Sequence, residues 1–228
     1  MEVERYSGII FDLFGTLVPA YRHREVLMKM AAELRLDTEM FIPAFAEETR
    51  DARETGQITL SDNLRAICAS LGATVGEAEI ARAVTIRRDF TIQALSPRHG
   101  TVEALTRLRD RGLALALISD CCEAVSEVWK SVPIASYIDA SILSCRVGVR
   151  KPDLRIYRLA CDALGLTAST CLYIGDGGSH ELTGAQRAGM DAALFSVPEE
   201  SGHDPYRPDA AGWPGPVIHS LAELGPPN

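Results

Sequence analysis

Three apolar runs in this chain end in the same way, on an acid. "GIIFD" closes on Asp12, "LALALISD" on Ser119 and Asp120, and "CLYIGD" on Asp176. A run that is apolar at every position, with no polar alternation, suits a central strand of a parallel sheet, buried on both faces. A carboxylate at the carboxyl end of such a strand lies where open α/β sheets keep their sites. Two more strands, "ASILS" and "AALFS", and helical patterns such as "DLRIYRLACDALG" complete an alternating order. The chain therefore reads as an α/β fold with a doubly wound, parallel, Rossmann-like sheet of five or more strands. Right-handed crossovers would bring every strand exit to one edge.

One region breaks the alternation. From Tyr21 to about Leu95 there are helical patterns and no persuasive strand. Met28, Ala31, Ala32 and Leu34 form the expected apolar stripe of a first helix. "MFIPAFAEETRDARETG" predicts a second, stopped by Gly56, and Ser61 is the expected N-cap of a third that ends at Gly72. "TVGEAEIARAVTIRRDFTIQAL" predicts a fourth. The region is too long for a crossover, so residues 19–96 are expected to form an inserted helical cap. Residues 1–18 and 97–228 are then the sheet-bearing core. The Pro- and Gly-rich stretch from Val197 to Pro216 is expected to be irregular.

Composition narrows the function classes. A formal net charge of -8 over 228 residues disfavours nucleic-acid binding. No run of about 18 apolar residues suggests a membrane span. The opening "MEVERYSG" carries acids before any apolar run, which points to a cytoplasmic address. The six cysteines show no CxxC pair, so reduced thiols serving as small buried hydrophobes are expected. The adjacent Cys121 and Cys122 stay open to a second reading as reactive thiols.

The strand-exit residues suggest a reaction. Asp12 and Asp176, both aimed into one crevice, suit a hard ion such as Mg²⁺. Lys151 with the hydroxyl of Ser119 or Thr16 would hold the oxygens of a phosphate. A carboxylate beside the ion could attack phosphorus and form an aspartyl-phosphate. Singly, each residue has a plainer account: Asp12 before Gly15 could form a turn, and Lys151 before Pro152 could be exposed. Together, in order on strand exits, they argue for a site.

The ordered set "FDLFGTL", "LALISD", "KPDLRIY" and "YIGDGGSHELTGAQRAGM" resembles the haloacid dehalogenase superfamily of hydrolases, helical-cap type, over essentially the whole chain. The resemblance implies Asp12 as nucleophile, Thr16 as a brace of the first loop and Ser119 as the hydroxyl gripping the transferring group. It implies Lys151 as the neutralising cation, Asp176 as the Mg²⁺ acid and Glu181 as the second metal-associated acid. Asp12 and the Phe14 backbone carbonyl would complete the metal ligands. Asp120 is placed with the substrate-binding residues. The cap is expected to choose the substrate and to close about hinges at Val18-Pro19-Ala20 and Ser96-Pro97-Arg98. Arg22 or Arg50 is the candidate for an anionic substrate tail, while most cap arginines, Arg24 and Arg53 among them, are expected on a solvated face.

The departure is Phe14, where phosphatases of the superfamily usually carry an aspartate that protonates the leaving group. Such help is worth roughly 10²–10⁴-fold. His180, beside Glu181, is one candidate replacement. The expected function is a Mg²⁺-dependent phosphohydrolase of a small phosphorylated metabolite, a monomer or homodimer whose partner is a small anionic molecule. Two alternatives stay open. One is a 2-haloacid-type dehalogenase forming an aspartyl ester, which needs no such acid. The other is a catalytically weak binding protein on the same fold.

Overall fold

The structure, a computed structural model, describes residues 1–20, 24–197 and 207–225. Arg22, His23, His203 and residues 198–206 of the expected irregular stretch lie outside the described residues.

Six parallel strands form one sheet: β1 Gly8–Phe11, β2 Ala114–Ser119, β3 Ala140–Leu143, β4 Cys171–Gly175, β5 Asp191–Phe195 and β6 Val217–Ile218. Their order is β3-β2-β1-β4-β5-β6. The chain winds one way from β1 to β3 and the other way from β4 to β6. The switch in strand order therefore falls between β1 and β4, where such sheets open a crevice. Sequence reading missed β6, because two residues after a Pro-rich stretch carry no periodicity. β1 and β4 are buried at every residue, as their unbroken apolar character requires. Two apolar clusters cover the two faces, one holding Ile9, Phe11, Leu115 and Leu117, the other Ile10, Ala116, Ile118 and Tyr173.

Between β1 and β2 run α1 Arg24–Glu33, α2 Thr38–Pro43, α3 Arg50–Glu54, α4 Leu60–Ser70, α5 Glu77–Ala94 and α6 Thr101–Asp110. Helices α1, α2, α4 and α5, with the π-helical turn between α2 and α3, enclose an apolar cluster of their own, with Leu27, Met30, Phe41, Phe45, Leu64 and Ile80. Three local expectations are corrected here. The buried face of α1 carries Val26, Leu27, Met30 and Ala31 and continues to Leu34, so Ala31 and Leu34 of the expected stripe are buried while Met28, 47% exposed, and Ala32 face outward. The N-cap of α4 is Thr59, whose hydroxyl accepts from Asp62 N, because the helix starts at Leu60, one residue before Ser61. The single helix expected from Met40 to Gly56 is broken by a π-helical turn, Ala44–Glu48. There Thr49 N donates back to the Ala44 carbonyl, and the Thr49 hydroxyl adds a second bond to it. Wide turns of this kind gather at functional positions.

The rest of the core adds α7 Glu123–Val128, α8 Ser144–Val147, α9 Leu154–Leu164 and α10 Glu181–Arg187. Among the described residues no helix is long and apolar enough to cross a membrane.

Candidate active site

Asp12 follows β1 directly, and its amide donates to the Ile174 carbonyl of β4 at 2.9 Å. Pairing with β4 thus fixes the acid at the switch point, with 5% of its surface exposed. Lys151 Nζ, equally buried, donates to Asp12 Oδ1 at 2.6 Å and to Glu181 Oε2 at 2.5 Å. Glu181 is wholly enclosed. Tyr173 OH donates to its Oε2 at 2.8 Å, Gly177 N to its Oε1 at 2.9 Å, and Tyr157 OH to its backbone carbonyl at 2.9 Å. Thr16 Oγ1 reaches Asp12 Oδ2 at 3.4 Å. Ser119 Oγ is buried with no hydrogen-bond partner among the described residues, a cost that a bound oxyanion would relieve.

Asp176 leaves β4 beside these groups. Gly178 N donates to its Oδ1 at 3.1 Å, and Arg207 Nε lies 2.8 Å from its Oδ2. Two glycines make room for the acids. A Cβ on Gly15, which sits at φ +88, would stand 2.0 Å from Asp176 Oδ2. One on Gly175 would stand 2.2 Å from Glu181 Oε1. The loop after Asp176 also holds Ser179 and His180 at φ 52 and 53, left-handed values that side chains disfavour and that strained site loops display.

Ligand oxygens of Asp12, Asp176 and Glu181 lie within 4.8 Å of one another. Burial, followed by repulsion from Glu181, pushes the Asp12 carboxyl well above its usual range, although Lys151 opposes this. Burial, with Glu181 next, raises Asp176 to about 7. Burial would lower Lys151, but Asp12 and Glu181 outweigh it and hold the ammonium well above its ordinary value. The floor therefore carries excess negative charge, and its donors are hard oxygens that fit a divalent cation such as Mg²⁺. The Glu181 carboxylate already accepts three hydrogen bonds, from Lys151, Tyr173 and Gly177 N, so Asp12 and Asp176 are the less encumbered donors and Glu181 contributes charge and support.

Over this floor is a cavity of about 610 Å³, walled on the far side by the inserted helices. Phe14 and Asp120 line it with Asp12, Lys151 and Asp176. Asp120 Oδ1 accepts from Lys151 N at 2.9 Å, so its first use is to hold the lysine's backbone. Arg50 also lines the cavity, but its Nε donates to both oxygens of Glu54 at 3.1 Å and its Nη2 reaches Ser179 Oγ at 3.5 Å. His180 pairs with Asp209 at 3.3 Å and is not among the cavity-lining residues. Arg53, expected on a solvated face, is only 6% exposed and faces the cavity, a correction produced by the π-turn that carries Phe45 and Thr49 under it. Arg87 and Arg207 were missed. Arg87 could have been found, since it interrupts the buried stripe Ile80, Ala83, Thr91 of α5. Arg207 follows a Pro-rich stretch with no motif and left no such signal.

A lysine clamped between a strand-exit aspartate and a buried glutamate, on a Rossmann-like sheet with a helical insertion, defines a hydrolase class. The haloacid dehalogenase-like hydrolase family matches residues 6–189, and the chain belongs to this superfamily of hydrolases. The glyceraldehyde 3-phosphate phosphatase of Methanopyrus kandleri is 25% identical over 190 residues, covering 81% of each chain. The (S)-2-haloacid dehalogenase of Pseudomonas sp. strain YL is 27% identical over 229 residues, covering 96% of this chain and 94% of that one. A HAD family enzyme of Bacteroides thetaiotaomicron, solved with magnesium and inorganic phosphate, shares the fold at TM-score 0.63 and 20% identity, over 87% of this chain and 98% of that one.

Proposed function

We propose that this chain is a Mg²⁺-dependent phosphohydrolase of a small phosphorylated metabolite, acting through an aspartyl-phosphate on Asp12. The observation that carries the reading is the cluster of three buried carboxylates, Asp12, Asp176 and Glu181, around one lysine. That excess of negative charge favours a divalent cation, which an alkyl-halide displacement does not need. Asp12 supplies the attacking oxygen; the ester P–O bond breaks and its electron pair leaves on the alcohol oxygen. Lys151 holds the nucleophile's carboxylate in place, and Ser119 donates to a phosphoryl oxygen. Bound Mg²⁺ would supply Lewis-acid neutralisation of phosphoryl charge between Asp12 and Asp176. Water then attacks phosphorus of the aspartyl-phosphate, the P–O bond to the Asp12 oxygen breaks, and inorganic phosphate leaves with the Asp12 carboxylate regenerated.

Proton transfer to the leaving oxygen is the weak step. Phe14 has no proton to give, and no histidine lines the cavity among the described residues. Of the other lining acids, Glu54 is held by Arg50 and Arg150, while Asp120 accepts from Lys151 N on Oδ1 and keeps Oδ2 without a hydrogen bond among the described residues, 3.7 Å from Arg150 Nε. Substrates with good leaving groups are therefore favoured. Phosphate release with Mg²⁺ across sugar phosphates, nucleotides and acyl phosphates tests the reading, with Asp12→Asn as control. Turnover by a folded Asp12→Asn protein would overturn the covalent route.

A second reading, a 2-haloacid dehalogenase, is favoured by Phe14 in the cavity and by the end-to-end match to the Pseudomonas enzyme. Halide release from 2-chloropropionate in EDTA, without phosphate release in Mg²⁺, would establish it instead.

A further inference from the structure

The floor of the cavity is acidic and its roof is basic. The inserted helices contribute Arg24, Arg50, Arg53 and Arg87 to its lining, against the single acid Glu54. Glu54 is shared by Arg50 and by Arg150, whose Nε lies 3.1 Å away. Arg24 pairs with Glu39 at 2.8 Å.

Arg53 differs from these. Its Nη1 donates to the Phe45 carbonyl at 2.7 Å and reaches Thr49 Oγ1 at 3.4 Å, while the guanidinium lies 4.1 Å over the Phe45 ring. No carboxylate among the described residues forms an ion pair with it. The Arg87 guanidinium, 5% exposed, lies 5.7 Å from the same ring. For Arg53, burial without a carboxylate partner is costly, and a bound anion removes that cost. One edge of the Arg53 fork is already committed to Phe45 and Thr49. The free edge offers parallel donors that match the two oxygens of a carboxylate. The cavity lining also includes the apolar Leu27, Ile42, Phe45 and Val125, which offer no donors to the further oxygens that a phosphate would bring.

We propose that Arg53, with Arg87 beside it, binds a carboxylate of the substrate, so that the enzyme hydrolyses small phosphorylated carboxylic acids. This rests on the phosphohydrolase reading above. The phosphoryl group meets Asp12 and Lys151 at the floor, and the carboxylate meets Arg53 at the roof.

The test compares D-3-phosphoglycerate with sn-glycerol 3-phosphate, which differ in a carboxylate against a hydroxymethyl group. With Mg²⁺, the native enzyme should favour the carboxylate in kcat/KM by roughly ten- to a hundred-fold, the value of a charge-assisted bond. Arg53→Met should collapse that ratio toward one, and Arg53→Lys should restore part of it. A ratio within one variant does not depend on how much of that variant is folded. Equal kcat/KM for the two esters in the native enzyme, or a preference that survives Arg53→Met, overturns the carboxylate site. No phosphate released with Mg²⁺ from either ester, nor from an aryl or acyl phosphate, overturns the phosphohydrolase reading instead. Calorimetric binding to Asp12→Asn protein then decides the site separately: tighter binding of 3-phosphoglycerate, lost on adding Arg53→Met, supports it, and equal binding of both esters sinks it.

Discussion

Asp12 and Lys151, 139 residues apart in the chain, meet at 2.6 Å with neither side chain more than 7% exposed. The lysine's second contact, 2.5 Å to Glu181, sets one ammonium between two enclosed carboxylates. Charge removed from such a place is not replaced by water, and the consequences are measurable.

Lys151→Met should destabilise the fold by about 3–5 kcal/mol, because it leaves Asp12 and Glu181 buried and uncompensated. Glu181→Gln should cost less, since it removes one of the crowded charges and its amide oxygen can still accept from Lys151 and Tyr173, at the loss of the acceptor for Gly177 N. Urea denaturation of both variants checks the order. An unchanged midpoint for Lys151→Met would contradict the burial described for this pair.

Magnesium should stabilise the protein, since it relieves the crowding of Asp12 and Asp176. At about a hundred times its dissociation constant, the gain is about 2.7 kcal/mol. Thermal melting with and without EDTA measures it. Asp176→Asn should shrink the shift; a shift of the same size in that variant would remove Asp176 from the metal site.

Phe14→Asp should raise kcat on alkyl phosphates, by up to about 10²-fold, and change aryl phosphates little, because proton donation matters only for poor leaving groups. The comparison is a plot of rate against leaving-group acidity for both proteins. Equal slopes would mean that the missing acid is not what limits turnover.

Cys121 and Cys145 offer a pH-dependent reading of the wall beside Asp120. Their sulfurs lie 3.9 Å apart. The hydrogen bond from Cys121 lowers the Cys145 thiol to about 7, and the same contact, with burial, pushes Cys121 well up. Thiolate is the reactive form. Iodoacetamide labelling of Cys145 should therefore climb as pH rises through about 7, while Cys121 stays unlabelled until unfolding. Mass spectrometry that finds Cys121 modified first would contradict this.

Much of the fold was legible before any coordinates. Unbroken apolar runs such as Leu113–Ile118 can be satisfied only by burial on both faces, so a parallel sheet follows from the residues themselves. The acids after β1, β2 and β4 then had to share one edge. Local errors arose where two readings are nearly equal in energy. Thr59 and Ser61 both cap well, and apolar Met28 and Ala32 sit beside the buried α1 face that Ala31 and Leu34 belong to. The break in the second cap helix was invisible because a π-turn uses the same helix-forming residues as an unbroken helix.

The roles of single polar side chains divide along the same line. Asp12, Lys151 and Asp176 stood out because strand exits have a fixed geometry and an acid there needs a reason. Arg50 and Arg53 could not be told apart by spacing alone, since both lie on one short helix and both are long cations. Packing separates them: Glu54 claims Arg50, while the Phe45 ring and carbonyl draw Arg53 inward without neutralising it. The proposed nucleophile, Asp12, is set by chain order and backbone periodicity, which are local. The charge left over to meet a substrate is set by which acid lies nearest each arginine, and only the folded chain fixes those distances.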